Sequence, residues 1–416
     1  MRVAAAAAAA AATAAAAVAL AGLAGCVDEL PGEPAAEAIA ATEQEVIGGE
    51  DAPAGEWPDV AAVLYNGLQE CTGVLIAPTI VLTAGHCNDS TLTSVLVGAS
   101  SLASEGGGEL IDVARRIEYP RSQETEDLTV LVLARASQQA PRPLATGWAS
   151  ADIRNGARVE IVGYGAIDRD AKQYIDELQQ AQTTITDADC TVRVGCNAGV
   201  APGGELGAGG MGIDTCPGDS GGPLYLPTRY GTFLAGITSR SYDNARYACS
   251  EGGIYARPGA VIDWIEQVAG TAIGRGPEPE VDAIHVIRGH GAEVSIAAND
   301  PKTKQHRYKV AAQPARGVAK ARRDGRVRVC AEPEAELGED AVTVTISDAG
   351  DSGRKLDVQI PIVVEDGEPP LEPCSVDDFE YGIGCCDGGR GARGSLPLAL
   401  GVAALLRRRR RRAGHA

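Results

Sequence analysis

The stretch Asp214–Pro223, which reads Asp-Thr-Cys-Pro-Gly-Asp-Ser-Gly-Gly-Pro, constrains this chain more than any other part of it. A serine that does acyl-transfer chemistry needs a neighbouring base and backbone N–H groups that point at the developing oxyanion. Glycine can adopt the backbone angles that bring the amides of Gly218 and Ser220 to one point, while Asp219 turns inward as a buried anion. Taken alone, the stretch is equally compatible with a glycine-rich surface turn.

Two further motifs supply a base and a carboxylate to orient it. His86 lies in the stretch Thr83–Cys87, and Asp127 precedes the apolar run Leu128–Leu133, which is predicted to be a buried strand. The chain has 5 histidines, and the other four lie beyond residue 280. His86 is therefore the candidate base for Ser220, with Asp127 as the residue that orients it.

In the order His, Asp, Ser, these motifs resemble the trypsin/chymotrypsin family of serine peptidases, whereas subtilisins and α/β-hydrolases arrange the three residues in other orders. The resemblance covers residues 46–270. It implies that His86 is the general base, that Asp127 orients it, and that Ser220 is the nucleophile. The amides of Gly218 and Ser220 would form the oxyanion hole.

The same resemblance implies a specificity pocket. Asp214 matches the pocket floor, where a carboxylate would select an Arg or Lys side chain before the scissile bond. Ser239, Ser241 and Gly253 are assigned to substrate binding with it. However, Ser241 stands where trypsin-like members usually have Gly, and Arg240 stands where an aromatic residue is common. These departures could narrow the entrance or add positive charge, and Asp214 could instead be a turn residue.

A zymogen switch is expected at residues 46–49, Val-Ile-Gly-Gly. In the family that the chain resembles, a cut before such a quartet frees an ammonium that pairs with the Asp next to the catalytic Ser, here Asp219. Burying that carboxylate without a cation would be costly. The residue before the cut is Glu45, not Arg or Lys, so we expect a separate activating protease that tolerates Glu, or trimming after a cut elsewhere. The alternative is a simple turn at the Gly pair.

The eleven cysteines favour an oxidising compartment. The resemblance implies bridges Cys71–Cys87 and Cys216–Cys249, and Cys190 and Cys196 remain as a third pair that would close a small loop. A zinc site is the competing interpretation, but there is no spacing of two residues between cysteines there and no spare histidine. No metal and no organic cofactor is predicted.

The fold is predicted to be all-β, because short Val-, Ile- and Leu-rich runs alternate with Gly, Pro, Asn and Asp. The resemblance implies two six-stranded antiparallel β-barrels over residues 46–270, with a helix at Val261–Val268. Residues 200–213 are glycine-rich and are predicted to be a loop near the cleft. After a linker at 271–280, alternating strands over 281–366 predict a small antiparallel β-sandwich similar to immunoglobulin-like or cadherin-like modules.

The two ends predict export and surface attachment. Residues 1–25 form a signal peptide, and Leu-Ala-Gly before Cys26 looks like a bacterial lipobox, although a chance Cys is the alternative. Residues 26–45 are predicted to be a tether or propeptide. After a linker at 367–383, residues 384–416 combine a Cys pair, an apolar stretch and an Arg cluster, which resembles a myxobacterial C-terminal sorting signal. We expect the bacterial outer membrane or cell surface as the location.

Together these patterns predict a secreted, surface-attached serine endopeptidase that cleaves after Arg or Lys and needs no cofactor. Its expected partners are protein and peptide substrates, an activating protease and the membrane, reached through the terminal anchors. A net charge of −19 disfavours nucleic acid as a partner. The alternative is a catalytically silent peptidase homologue that acts as a surface adhesin, because the bond between Glu45 and Val46 is never cut.

Overall fold

The computed structural model describes residues 47–103, 107–120, 126–199, 204–368, 370–372 and 374–380. Within this part of the chain, strands dominate and helices are few and short. The all-β prediction is confirmed by this dominance of strands. No helix of these residues has the length and apolar character needed to cross a membrane.

The first barrel is a closed antiparallel sheet of six strands in the order β2-β3-β4-β7-β6-β5. Strand β1 (Glu50–Asp51) precedes these strands in the chain and pairs with the edge of the second barrel. The six strands are β2 (Val60–Tyr65), β3 (Leu68–Ala77), β4 (Ile80–Thr83), β5 (Leu92–Val97), β6 (Glu109–Glu118) and β7 (Thr129–Leu133). Valine, leucine and alanine side chains fill its interior, as β-branched and aliphatic residues do in a pleated, buried sheet.

A single helical turn, α1 (Gly147–Ser150), leads into the second barrel. That barrel closes in the order β8-β9-β10-β13-β12-β11, because β8 pairs with both β9 and β11, and β1 adds to the edge of β9. Its strands are β8 (Arg158–Gly163), β9 (Gln179–Asp187), β10 (Glu205–Ala208), β11 (Pro223–Thr228), β12 (Gly231–Ser241) and β13 (Gly253–Ala256). Two six-stranded barrels were predicted, and two are present.

The glycine-rich segment 200–213 is not a loop throughout, so that prediction was wrong in part. Its described part contains strand β10, which is buried and pairs with β9 on one side and β13 on the other. The small residues Gly207 and Ala208 fit between two neighbours, and pairing on both sides outweighs the weak strand propensity of glycine.

Helix α2 (Ile262–Ala269) ends the peptidase domain, within one residue of the predicted range. Gly270 follows it with φ 68°, the left-handed cap conformation that glycine adopts without steric cost. Trp264 on this helix packs edge-on against Tyr119 of the first barrel, with ring centroids 4.8 Å apart. The helix thus ties the C-terminal end of the second barrel to the first.

The third region is a β-sandwich of two sheets, with strand orders β14-β20-β19-β16 and β15-β18-β17. Its strands are β14 (Ile284–Ile287), β15 (Gly291–Ser295), β16 (His306–Ala312), β17 (Gly317–Ala321), β18 (Arg326–Ala331), β19 (Gly338–Asp348) and β20 (Lys355–Glu365). The first and last strands, β14 and β20, pair in parallel, so the sandwich is not purely antiparallel. A long connection separates these two strands, which makes parallel pairing possible.

The sandwich is docked on the peptidase domain. Trp148 in α1 is fully buried among side chains of the sandwich core, and its indole N–H donates to the carbonyl of Ala298. The segment 271–280, predicted as a linker, lies against the peptidase domain: Ile273 is buried, and the Trp148 amide donates to Pro277. The sandwich and the second barrel therefore share one packed boundary.

Candidate active site

His86 and Asp127 meet at the end of the first barrel. His86 lies in a short 3₁₀ turn (Gly85–Cys87) directly after β4, and Asp127 precedes β7, which pairs with β4. The Nδ1 atom of His86 lies 2.9 Å from Oδ2 of Asp127, and the His86 amide donates to Oδ1 over 2.9 Å. Strand pairing in the barrel thus places both predicted residues in hydrogen-bond contact.

Ser239 is the third group around this carboxylate. At the end of β12 in the second barrel, its hydroxyl donates to Oδ2 of Asp127 over 2.6 Å. Burial raises the pKa of Asp127, but the hydrogen bonds from His86 and Ser239 outweigh burial and hold that pKa below its usual value. Asp127 is therefore an anion bound from both barrels, and Ser239, predicted to bind substrate, instead contacts the carboxylate of Asp127.

The loop that carries Ser220 is anchored to strand β3 of the first barrel. The backbone amide of Thr72 donates to the carbonyl of Ser220 over 2.8 Å. The hydroxyl of Thr72 and the side-chain amide of Gln69 each donate to the carbonyl of Gly218 over 2.9 Å. Gly221 has φ +84°, and a Cβ there would collide with Thr83 and Thr72. This close approach explains why glycine follows the serine.

Two backbone N–H groups of this loop, those of Gly218 and Ser220, donate no hydrogen bond within the described residues. Asp219, Gly221 and Gly222 donate their amides to the carbonyls of Cys216, Thr238 and Asp219. Among the hydrogen bonds of the described residues, none uses the amide of Gly218 or Ser220. Gly218 has φ +100°, a conformation that glycine adopts readily. These two amides are the donors predicted for an oxyanion.

Ser220 is half-buried and His86 is partly exposed. Within the described part of the chain, no hydrogen bond joins the imidazole of His86 to the Ser220 hydroxyl. Such a contact is often long or poorly aligned in a free peptidase and tightens when substrate is bound.

Asp219 is a buried carboxylate that is bound only by backbone amides. Its two oxygens accept from Gly165 over 2.7 Å and from Cys216 over 2.8 Å, and the residue is 1% exposed. No ion pair of the described residues involves it. Burial raises the pKa of Asp219 to about 7, against the opposing effect of the two amides. The site would accept a cation.

Asp214, predicted to be the floor of the specificity pocket, is buried and bound by backbone amides. Its carboxylate accepts from the amides of Thr215, Ser250 and Gly252, each over 2.9 Å. Burial raises the pKa of Asp214 to about 6, and the amide hydrogen bonds offset part of that rise. A Cβ on Gly253 would lie 3.5 Å from Oδ1 of Asp214, so glycine there keeps the space beside the carboxylate open.

Ser241, predicted to bind substrate, holds strand β12 to a neighbouring loop. It is the last residue of β12 and pairs in register with Gly253. Its hydroxyl donates to the carbonyl of Ala248 over 3.0 Å and so ties strand β12 to the loop before Cys249. Ser241, which stands where trypsin-like members usually have Gly, therefore fastens the loop before Cys249, next to the predicted pocket.

Arg240 forms an ion pair that the sequence did not predict. Its guanidinium contacts Glu205 at 2.6 and 2.9 Å, and Glu205 is 3% exposed. Glu205 lies on β10, within the segment predicted to be a loop. Once β10 is known to be a strand of this barrel, a buried glutamate becomes the signal that a cation must be near.

Four disulfides are present in the described residues. Three are the pairs predicted from the sequence, and the fourth joins the sandwich to the segment that follows it: Cys71–Cys87, Cys190–Cys196, Cys216–Cys249 and Cys330–Cys374. The first holds the turn of His86 to β3, and the third holds the loop of Ser220 to the pocket wall. The predicted activation residue Val46 and lipidation residue Cys26 lie outside the described residues.

Comparisons with known proteins agree with this architecture. The profile of the Trypsin family matches residues 46–265. The protein named Trypsin from Saccharopolyspora erythraea is 33% identical over 239 residues, which is 55% of this chain and 100% of that protein. Mouse serine protease 56 is 30% identical over 236 residues, 53% of this chain and 38% of that protein, so the chain spans well under half of this longer relative.

A solved structure is also similar: mouse neuropsin, described as a serine protease expressed in the limbic system, matches with a TM-score of 0.45 and 27% identity over 53% of this chain and 98% of that one. The profile match covers just over half of the chain, and the bacterial relative is covered along its full length. The chain therefore belongs to the trypsin family of serine peptidases.

Proposed function

We propose that this protein is a serine endopeptidase in which Ser220, His86 and Asp127 carry the reaction. The observation that carries the proposal is the hydrogen bonding of Asp127, which accepts from His86 through both oxygens and from Ser239. Such a carboxylate holds the imidazole with Nδ1–H towards Asp127, so that Nε2 is left to accept a proton from Ser220. The undonated amides of Gly218 and Ser220 would then stabilise the oxyanion.

In the proposed reaction, Ser220 attacks the carbonyl carbon of the scissile bond while His86 takes its proton. The same proton then passes to the leaving amine as the bond breaks. Water then gives a proton to His86 and attacks the acyl ester. The bond between the acyl carbon and Oγ of Ser220 breaks, His86 returns the proton to Oγ, and the acid is released. Every proton is returned, and no external co-reactant besides water is needed.

We further propose that the enzyme prefers Arg or Lys before the scissile bond. Asp214 supports this preference, since it is a buried carboxylate and the neighbouring Gly253 has no side chain to fill the space beside it. Three backbone amides already bind the carboxylate. They stabilise its charged form, so an incoming cation completes an arrangement that is already oriented.

Synthesis as a zymogen is proposed as well. The side chain of Ile47 packs in the cluster that contains Ala166 and the Cys216–Cys249 disulfide, close in the chain to Asp219. A cut before Val46 would create an ammonium one residue from this position. That ammonium could pair with Asp219, which is buried and has only amide partners. Pairing would lower the cost of keeping a charged carboxylate there.

Export and attachment to the bacterial surface are proposed from the ends of the chain. The four disulfides of the described residues support an oxidising compartment. Metabolic labelling with a fatty acid, in wild type and in a Cys26→Ser variant, tests the lipid anchor. Loss of label only in the variant supports lipidation at Cys26, whereas an unlabelled wild-type protein contradicts it.

The main experiment combines N-terminal sequencing of the exported protein with hydrolysis of Arg-, Lys- and Phe-based peptide anilides. We expect a Val46 terminus and cleavage after Arg and Lys that is lost in Ser220→Ala. To separate failed processing from failed chemistry, a second chain carries an enteropeptidase site directly before Val46 and is cut in vitro. Absence of Ser220-dependent turnover in that cut chain would favour the silent surface adhesin.

A further inference from the structure

Arg240 uses all four of its terminal N–H groups. Nη1 donates to Glu205 over 2.6 Å and to the hydroxyl oxygen of Ser239 over 3.3 Å. Nη2 donates to Glu205 over 2.9 Å and to the carbonyl of Gly195 over 2.8 Å. The planar fork of the guanidinium is thus fixed from three directions, which a single flexible ammonium could not match.

The contact with Ser239 has a direction. A guanidinium can only donate, so the oxygen of Ser239 must accept from Arg240. The proton of that hydroxyl is then directed to Asp127, whose Oδ2 lies 2.6 Å away. Glu205, Arg240, Ser239, Asp127 and His86 therefore form one continuous line of hydrogen bonds that ends at the imidazole.

The charged groups on this line of hydrogen bonds alternate in sign, since Glu205 is an anion, Arg240 a cation and Asp127 an anion. Burial opposes the charge of Arg240, but the contacts with Glu205 raise its pKa above the usual value. The charged groups that act on the line from neighbouring elements are Asp243 beside Arg240, Glu126 next to Asp127 in the chain, and Arg257, which interacts with Glu126 and Asp189. Arg240 is thus a cation that interacts with Asp127, and Ser239, which accepts from Arg240, donates to the same oxygen, Oδ2, that contacts the imidazole of His86.

We propose that Glu205 and Arg240 are a positioning pair for the triad: Glu205 holds the guanidinium against Ser239, and Ser239 is thereby kept as a donor to Asp127. The pair also sets the local charge. Arg240 adds one positive charge to the line that ends at His86, and Glu205 adds one negative charge. This inference rests on the proposed function, and it assigns to Arg240 a task other than contact with substrate.

The test uses Glu205→Gln, Arg240→Gln, the double variant and Arg240→Lys in the processed full-length chain. For each, kcat/KM of an Arg anilide is measured against pH over the acidic limb of the profile, where activity falls as pH decreases. Arg240→Gln removes a cation, so the limb moves to higher pH, by about half a unit for one charge in a partly exposed site. Glu205→Gln removes an anion and moves the limb to lower pH. The double variant returns close to wild type.

Arg240→Lys separates charge from geometry. The lysine keeps the positive charge but lacks the planar guanidinium, so the acidic limb of the pH profile stays at the same pH while kcat falls several-fold and KM changes little. The matched control is Arg135→Gln, which breaks the Arg135–Glu109 pair of 2.9 Å beyond the far end of β7. It leaves both the limb and kcat unchanged.

A readout that needs no turnover keeps this inference separate from the proposed function. In the Ser220→Ala background, the ring protons of His86, assigned with His86→Gln, are followed by NMR as the pH changes. Opposite displacements of the titration midpoint in Arg240→Gln and Glu205→Gln support the positioning pair, even in a chain that hydrolyses nothing. Equal displacements of the same sign, or none, overturn it.

Discussion

Arg354 of the sandwich is fully buried and donates from Nε to Oδ1 of Asp152 in the peptidase domain over 2.6 Å. Its Nη1 pairs with Asp300 of the sandwich, which is also buried, and its guanidinium lies over the ring of Trp148, 4.6 Å from the centroid. One cation therefore joins carboxylates from both domains. The sandwich is held to the second barrel by a buried ion-pair network as well as by apolar packing.

We predict that Arg354→Met destabilises the chain by about 3–5 kcal/mol, because both carboxylates lose their cation inside the boundary. Urea denaturation in the Ser220→Ala background, which prevents self-digestion, measures the loss. The matched control is Arg154→Met, since Arg154 pairs with Asp351 across the same boundary but both side chains are more than a third exposed. It should cost about 0–1 kcal/mol. Equal losses in the two variants would contradict this account of the boundary.

Much of the fold was predictable because the strands of the first barrel other than β6 are buried on most of their length. Strands β2 and β4 are runs of Val, Ala, Ile and Leu, and a run of that kind bounded by turn residues indicates a strand. The pairing of β4 with β7 then places His86 and Asp127 together. For these elements, local pattern and final structure agree.

Strand β9 shows what the pattern could not reveal. It reads Gln-Gln-Ala-Gln-Thr-Thr-Ile-Thr-Asp, yet alternate residues are buried, among them Gln179 and Asp187. The side-chain nitrogen of Gln179 donates to Asp51, and the carboxylate of Asp187 accepts from the amides of residues 191–193. The partners are remote or lie in a turn, so hydropathy alone marks the strand as exposed. The pairing of Glu205 with Arg240, 35 residues apart, was hidden for the same reason.

We predict that Asp127→Asn lowers kcat by about 10⁴-fold with little change in KM, because an amide NH₂ facing Nδ1 favours the imidazole tautomer that cannot accept the Ser220 proton. Single-turnover kinetics with an Arg anilide measures the acylation step. Asp112→Asn, on the exposed strand β6, is the control and should retain wild-type rates. A loss of less than tenfold in Asp127→Asn would mean that Asp127 does not orient His86.

In the uncut chain, Asp219 should make stability fall as pH rises. Its pKa is about 7 in the folded chain, above that of an unfolded Asp near 3.9, so the folded state binds the extra proton between these values. Stability is then highest below the unfolded pKa and decreases, by on the order of 4 kcal/mol, as pH rises through the folded pKa.

Urea unfolding of Ser220→Ala at several pH values tests this, and Asp219→Asn should reduce the dependence to the part that comes from Asp214, whose pKa is also raised by burial, to about 6. Asp263→Asn, at a side chain that is 93% exposed, should leave the dependence unchanged. Cutting before Val46 should also reduce the dependence, since an ammonium partner stabilises the carboxylate of Asp219. A pH dependence that is identical in Asp219→Asn would show that another group causes it.

Replacing Asp214 should alter substrate preference without abolishing the chemistry. In Asp214→Ser the pocket loses its anion, so an Arg or Lys side chain is buried without a charged partner, at a cost of about 2–5 kcal/mol in transition-state binding. That corresponds to a fall of about 30- to 5,000-fold in kcat/KM for Arg and Lys anilides, whereas the Phe anilide should be cleaved at least as well as before.

Active-site titration with a serine-directed phosphonate distinguishes loss of specificity from loss of folding. Asp214→Ser should still react at Ser220, because the triad and the oxyanion amides are intact, while Ser220→Ala should not. If all three anilides lose the same factor in Asp214→Ser, the carboxylate supports the structure of the loop at residues 249–253 through its amide hydrogen bonds and does not select the substrate. Preservation of the ranking Arg and Lys above Phe would lead to the same conclusion.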